Sequence, residues 1–247
     1  MDAIGIAAAS GLRARMESLE ILANNLANAG TAGFKADRES YSTYWSAEST
    51  SALDAGRGGS GVSPVVERNW IDFTQGALTR TGAPTHLALT GPGFLAVKRG
   101  DETLYTRNGE LQINARGMLV NGEGFDVLGV NGQPVAVEAS QDLEIRADGS
   151  VWQAGAQTGQ LRLTEFTDPQ SLRKAGHNYL RWMGPDDQVK AVAGTRVLQG
   201  ALEAANTGPA EGAVRMVNVL RQFESLQKAL QLGSEMNRRL LDEVAKV

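Results

Sequence analysis

"LEILANNLANAGTAGFKAD" (Leu19–Asp37) starts as a helix and leaves it abruptly. Apolar residues recur at helical spacing as far as Leu26. Asn24, Asn25 and Asn28 crowd the last turns, and Gly30 and Gly33 bracket a short exit before Phe34. Asparagine is a mediocre helix former, so three of them beside an apolar stripe ask for a reason. Toward the N-terminus the stripe continues as Gly5, Ala9, Leu12, Met16, Leu19, Ala23 and Leu26, with spacings of four and three. That pattern predicts a helix with a heptad seam. Ile21 and Leu22 widen the apolar face beyond what one neighbour covers. On the residues alone, the asparagines are explained by a fraying C-terminal turn with solvated amides.

The other end of the chain repeats the spacing. Met216, Val219, Phe223, Leu226, Leu230, Gly233, Asn237, Leu240, Val244 and Val247 form a second seam, with Asn237 a polar interruption of the kind that fixes register. Gly208-Pro209-Ala210-Glu211 supplies a helix start. Glu211–Arg215, Glu224–Lys228, Glu235–Arg239 and Asp242–Lys246 are acid-before-base pairs at i,i+4, which carry the expected helix nearly to Val247.

The residues between are of a different kind. Ser46–Ser63, "SAESTSALDAGRGGSGVS", is rich in Ser, Gly and Ala and predicts a flexible linker. From Trp70 to about Arg196 short alternating runs predict strands: Glu110–Asn114, Pro134–Glu138, Asp142–Arg146 and Gln160–Thr164. Asn108-Gly109, Asn121-Gly122, Asn131-Gly132 and Asp148-Gly149 are hairpin-turn dipeptides. "TDPQSLRKAG" predicts a short helix or turn near Ser171. The fold class expected is α+β: terminal helices pairing as a coiled-coil-like stalk, an antiparallel β domain inserted between them, and a flexible linker. The expected division is an N-terminal helix over 1–33, an extended or linker segment over 34–69, a β domain over 70–197 that folds without the termini, and a C-terminal helix over 198–247.

Composition excludes several function classes. The net charge of −4 and the absence of a basic run disfavour nucleic acid and anionic membrane as partners. No apolar run approaches the ~20 residues of a membrane span. The chain has no cysteine, hence no disulfide, thiolate metal site or cysteine nucleophile. His86 and His177 lie far apart without carboxylates at ligand spacing, and read as surface or loop histidines. Gly91–Phe94 and Asn121–Phe125 are glycine-rich but sit among strands rather than opening a helix, so tight turns explain them better than a phosphate loop. Asp142, Glu144 and Asp148 form an ordinary polar strand face, not a catalytic pair. No enzyme activity, cofactor or metal is expected. Asp2 stands where a secretory signal carries positive charge, so "MDAIGIAAAS" reads as helix rather than signal peptide.

Three stretches together resemble one family, the bacterial flagellar axial proteins of rod and hook. Ala23–Lys35 is similar to the N-terminal rod signature. Gly76–Val97 with Tyr105–Gly129 resembles the segment opening the β domain of rod proteins. Gln199–Glu224 resembles the C-terminal motif, with Leu202, Glu203, Asn206, Pro209, Glu211, Val214, Met216, Arg221, Phe223 and Glu224 at its spacing. His86 and Ala205 depart from it, standing where the family usually has Asp and Ser. Length and Arg221–Glu224, "RQFE", look more like the rod protein F members of the proximal rod than the rod protein G members of the distal rod.

The resemblance implies a structural subunit of the flagellar basal-body rod. It implies export without a cleaved signal through the flagellar type III apparatus, location in the periplasmic rod, and polymerisation with itself and other rod proteins into a torque-transmitting helical tube. It implies that Leu12, Met16, Leu19, Leu22, Asn24, Asn25, Leu26 and Asn28 in the first helix, and Met216, Val219, Phe223, Leu226, Leu230 and Leu240 in the second, serve self-assembly. In that setting the asparagines are expected to bond laterally and fix stagger. The competing reading is a β-domain binding module or surface adhesin held on a helical stalk.

Overall fold

A computed structural model describes residues 3–45, 62–192 and 194–244; most of the expected linker therefore lies outside the described residues. Two helices bracket the chain: α1, Ala3–Ala27, and α2, Pro209–Val244. The chain divides into two compact units. One comprises the described residues of 1–27, 37–70 and 208–247; the other comprises Asn28–Ala36 and Ile71–Thr207.

In the first unit α1 packs against α2, and the strands Asp37–Trp45 and Val62–Ile71 pair in a two-stranded sheet. Leu26, near the end of α1, lies 3.7 Å from where a side chain on Gly212, in the first turn of α2, would begin. The end of one helix thus meets the start of the other. On α2 the half-buried positions include Met216, Val219, Phe223, Leu226, Leu230 and Gly233, which share one face. On α1 the buried stripe is Gly11, Ala14, Ser18 and Asn25. It lies one position before the sequence-derived seam. Leu12, Leu19, Leu22 and Leu26 are half-buried beside it, whereas Met16 is 53% exposed. The cause is local: Ser18 Oγ donates to Glu39 Oε1 at 2.5 Å, and Asn25 bonds the same strand, so the small and polar residues turn toward Asp37–Trp45.

The second unit is built on the hairpin Phe94–Arg99/Glu102–Thr106, paired from Leu95–Thr106 to Arg99–Glu102. Leu180–Trp182 and Leu172–Lys174 extend the sheet on one side. Asp126–Val127, Leu119–Asn121 and Leu111–Ile113 extend it on the other. Leu163–Phe166 joins through Phe94 and Leu95. All these pairings are antiparallel. A three-stranded sheet (Glu144–Ile145, Ser150–Gln153, Ala156–Gln160) and two small two-stranded sheets complete the unit. One apolar cluster includes Leu87, Leu89, Leu95, Leu104, Leu119 and Val151. A second gathers Ile71, Phe94, Tyr105, Phe166 and Leu180, with Phe166 stacked on Trp182 at 4.6 Å between ring centroids.

The expected strand at Pro134–Glu138 is reduced to single bridges at Pro134 and Ala136, although Val135 and Val137 are buried as alternation requires. Asn108-Gly109 is not a hairpin turn, because Glu102–Thr106 and Leu111–Ile113 are not sheet neighbours. The glycine is there because a Cβ would stand 1.8 Å from the carbonyl oxygen of Leu87. The expected turn near Ser171 is a 3₁₀ turn, Pro169–Ser171, capped by Asp168.

Ala154 and Gly155 connect the hairpin Ser150–Gln153/Ala156–Gln160 with φ of +48° and +78°. The left-handed region costs a residue bearing Cβ about 1 kcal/mol, and Ala154 is exposed. Ala154→Gly or Ala154→Asn should raise the unfolding free energy by about 0.5–1 kcal/mol, read as a higher urea midpoint at unchanged slope.

Candidate functional site

The signature that opens the chain is divided between the two units. Its helical part ends in Asn25, which is 6% exposed. The Asn25 amide forms a two-way bridge to one residue: Nδ2 donates to the Asp37 carbonyl at 2.8 Å, and Oδ1 accepts from the Asp37 N–H at 3.0 Å. A side-chain amide is the one group that copies a peptide's donor and acceptor together. This asparagine is therefore used inside the chain, and not as the solvated amide of a fraying turn that the residues alone suggested. Asn28 caps the exit: its carbonyl accepts from the Thr31 N–H at 2.9 Å, and its Oδ1 from Thr31 Oγ at 3.4 Å. Asn24 is exposed.

The tail of the signature, Gly33-Phe34-Lys35-Ala36, is buried in the second unit. Phe34, Lys35 and Ala36 are 1%, 3% and 1% exposed. Its partner is the start of the C-terminal motif. Glu203 is wholly buried on the strand Ala201–Glu203, which pairs with Leu78–Arg80. Glu203 Oε1 accepts from Lys35 Nζ at 2.5 Å and from the Gly76 N–H at 2.9 Å, and Oε2 accepts from Arg107 Nη1 at 3.4 Å. Lys35 also donates to the Thr74 carbonyl at 2.7 Å. Arg107 donates to the carbonyls of Gly91 and Leu89 and stands 4.9 Å from the centroid of the Phe94 ring. Burial pulls the Lys35 ammonium below its usual pKa, with Glu203 opposing the shift, and burial likewise lowers that of Arg107.

Asn206 completes the junction. Its Oδ1 accepts from the Ala36 N–H at 2.8 Å, and its Nδ2 donates to the Asp72 carbonyl at 2.7 Å. The Gly33 N–H donates to the Glu203 carbonyl at 2.6 Å. Gly33 has φ of +67°, and a Cβ there would lie 2.3 Å from the Arg107 carbonyl carbon; a Cβ on Gly76 would lie 2.0 Å from the Ala204 oxygen. These close approaches, more than turn geometry alone, demand glycine.

Lys35, Arg107 and Glu203 as an ion-paired set were not foreseen as a site. The sequence did hold a signal: Phe34-Lys35-Ala36 and Leu202-Glu203-Ala204 each place one charge between apolar or small neighbours, and such charges are buried only when paired. His86 is half-buried with its Nδ1 3.0 Å from Thr81 Oγ, and His177 is exposed. Among the described residues no group of three or more His, Cys, Asp or Glu is placed to hold a metal ion, and no helix is long and apolar enough to cross a membrane.

The helix pair of the first unit and the buried junction that closes the β body of the second are each built from early and late segments of the chain, the arrangement of a structural subunit. Three family models match: "Flagella basal body rod protein" over residues 7–35, "Flagellar hook protein FlgE/F/G D1 domain" over 88–153, and "Flagellar basal body rod FlgEFG protein C-terminal" over 198–243. The flagellar basal-body rod protein FlgF of Caulobacter vibrioides is 31% identical over 237 residues, covering 93% of this chain and 92% of its own. Two rod proteins FlgG of Buchnera aphidicola are similar: that of subspecies Acyrthosiphon pisum is 32% identical over 253 residues, and that of subspecies Schizaphis graminum 30% over 254, each covering 94% of this chain and 95% of its own. This chain belongs to the flagellar basal-body rod protein family. The comparisons do not support a stalked binding module or adhesin.

Glu203→Gln removes the charge that two buried cations share. Breaking a buried pair from one side costs about 3–5 kcal/mol, so the second unit should melt at a markedly lower urea concentration. Gly33→Ala should cost at least as much, whereas Gly30→Ala, with nothing within 4 Å, should change little.

Proposed function

We propose that this structural rod subunit, of the F type, polymerises through its terminal helices into the helical tube that carries torque across the periplasm. The observation that carries the reading is the incomplete burial of α2. Met216, Val219, Phe223, Leu226 and Leu230 are only half-covered within one chain. Val214, Leu232 and Met236, on the opposite side, are 62%, 62% and 65% exposed. A 36-residue helix with apolar groups on both sides needs neighbours beyond α1. Leu12, Met16, Leu19, Leu22, Leu26 and Leu240 belong to the same proposed set, with Asn24 and Asn28 at the helix end and Asn25 fixing the exit. Coiled-coil pairing of α1 with α2 is part of this reading, and contacts that do not close on themselves propagate as a tube. The partners proposed are further copies, the other rod proteins and the type III export apparatus, with no cleaved signal. A catalytic role has no place in this scheme.

Phe223→Asp puts a charge into the proposed contact, which is costly unless paired. The wild-type gene should restore motility to a strain lacking rod protein F and not to one lacking rod protein G, and the Phe223→Asp gene should restore neither. The melting of the second unit should be unchanged by the mutation. Wild-type swimming of the mutant would refute the seam; rescue of the G strain alone would reassign the subunit.

A half-covered helix pair is marginal in dilute solution, so α1 and α2 should be only partly helical in the free chain and gain helicity on polymerising. Circular dichroism of sedimentation-verified monomer and of polymer measures this. A monomer already showing both helices in full, 25 and 36 residues long, would contradict it.

A further inference from the structure

The strand Leu78–Arg80 lies at the edge of its two-stranded sheet, and all of its residues are exposed, Leu78 at 39%. Its pairing with Ala201–Glu203 sets Leu202 against Thr79. On either side of that pair the Ala204 N–H donates to the Ala77 carbonyl and the Thr81 N–H to the Gly200 carbonyl, each at 2.8 Å. In an antiparallel ladder alternate residues bond to one neighbour, so Ala77, Thr79 and Thr81 spend their peptide groups on the inner strand. Glu203, opposite Leu78, sends its carbonyl away from this ladder, to the Gly33 N–H. The N–H and C=O of Leu78 and Arg80 therefore point to the open side, and among the described residues they have no hydrogen-bond partner.

An open edge is a template for another strand, and other edges of this unit are blunted. On Leu172–Lys174, the outermost strand of the large sheet, Arg173 Nη1 donates to the Leu172 carbonyl at 3.2 Å. Beside Glu144–Ile145 the Gln199 amide accepts from the Ile145 N–H and donates to the Leu143 carbonyl. Leu78–Arg80 has no such guard. We propose that this edge pairs antiparallel with the same edge of a second copy of the chain, about a two-fold axis at Thr79. The edge complements itself in that register. Leu78 and the partner's Arg80 exchange two hydrogen bonds, and Arg80 and the partner's Leu78 exchange two more, so every outward peptide group is used. Leu78 lies against the aliphatic stem of the partner's Arg80, and Thr79 faces the partner's Thr79, a favourable cross-strand pair. A slip of two residues one way sets Arg80 against the partner's Arg80, like charges face to face. The other way it sets Arg80 against the partner's Gly76, whose N–H Glu203 already holds. A two-fold contact closes on itself, so it makes a dimer of the free subunit, separate from polymerisation through the helices. Confined to Ala77–Thr81, it is smaller than a standard stable interface, and the dimer is a concentration-dependent one.

The chain has no cysteine, so one introduced thiol can form a disulfide only with a second copy. The proposed axis brings the two Cα atoms at position 79 to about 4.5 Å, within disulfide reach, and leaves those at 78, like those at 80, about 8 Å apart, beyond it. In oxidised glutathione, full-length Thr79→Cys should therefore form the linked dimer about tenfold faster than Leu78→Cys or Arg80→Cys. The same order should hold when Phe223→Asp is added, because the pairing does not use the helices. Thr79→Glu and Thr79→Lys each set like charges across the axis. Either alone should sediment as less dimer than wild type at about 0.1–1 mM, and an equimolar mixture should regain the dimer, with Tm unchanged throughout. Equal rates at the three thiol positions, loss of the Thr79→Cys dimer with Phe223→Asp, or a mixture no more dimeric than its components would overturn the proposal.

Discussion

The Glu203 carboxylate is the contact on which the rest of the β body depends. It gathers a lysine from residue 35, a backbone N–H from residue 76 and an arginine from residue 107 around one wholly buried side chain. An ion pair at this depth is a poor source of stability, because desolvation consumes most of the Coulomb gain. Its value is discrimination. An apolar residue at 203 would accept many neighbours, but a buried carboxylate accepts only an arrangement that returns both cations. The requirement joins segments 168 positions apart, so the first and last parts of the β body cannot be assembled in a wrong register without stranding a charge. Asn206 repeats the test three residues later with neutral groups, checking the Ala36 and Asp72 backbones.

The same logic accounts for the asparagine that opens the problem. Asn25 does not weaken its helix to no purpose; its amide donates to the Asp37 carbonyl and accepts from the Asp37 N–H, which ties the helix end to the strand. Ser18 acts on the same strand through Glu39. The α1 face toward that strand is therefore small and polar, and its larger apolar residues are displaced to the flank. Periodicity located the stripe but was wrong by one position, because a hydrophobicity pattern weights Leu12, Leu19 and Leu26 and is blind to Gly11, Ser18 and Asn25. On α2, where no strand competes for the helix, the apolar pattern and the half-buried positions coincide residue by residue from Met216 to Gly233.

Much of the architecture was legible for this reason. Helix ends are written in local chemistry, and Pro209 begins α2 where its start signal stands. Alternation marked the buried members of short strands even where, as at Val135 and Val137, pairing is too sparse to make a strand. Long-range closure was not legible. The sequence-based border at residue 70 stands one residue from the start of the unit's main segment at Ile71, but the unit also takes in Asn28–Ala36 and runs past residue 197 to Thr207. Nothing local in Phe34-Lys35-Ala36 says that its cation is neutralised by residue 203. Gly33, Gly76 and Gly109 are equally silent, since each is required by a backbone contributed from elsewhere.

These two kinds of contact divide the labour within the chain. The β body is closed by buried charge and close backbone approach, interactions that each demand one particular partner. The helices use the opposite chemistry. Apolar burial is non-directional and roughly proportional to area, so a half-covered Phe223 or Leu226 gains from any correctly shaped surface, and gains again when a second neighbour covers the remainder. Small residues at Gly11 and Ala14 let backbone approach on one side, while Met16 and Met236, unbranched and adaptable, stay exposed on others. On the proposed reading, association lowers the free energy chiefly by covering the apolar side chains that the helices leave half-buried.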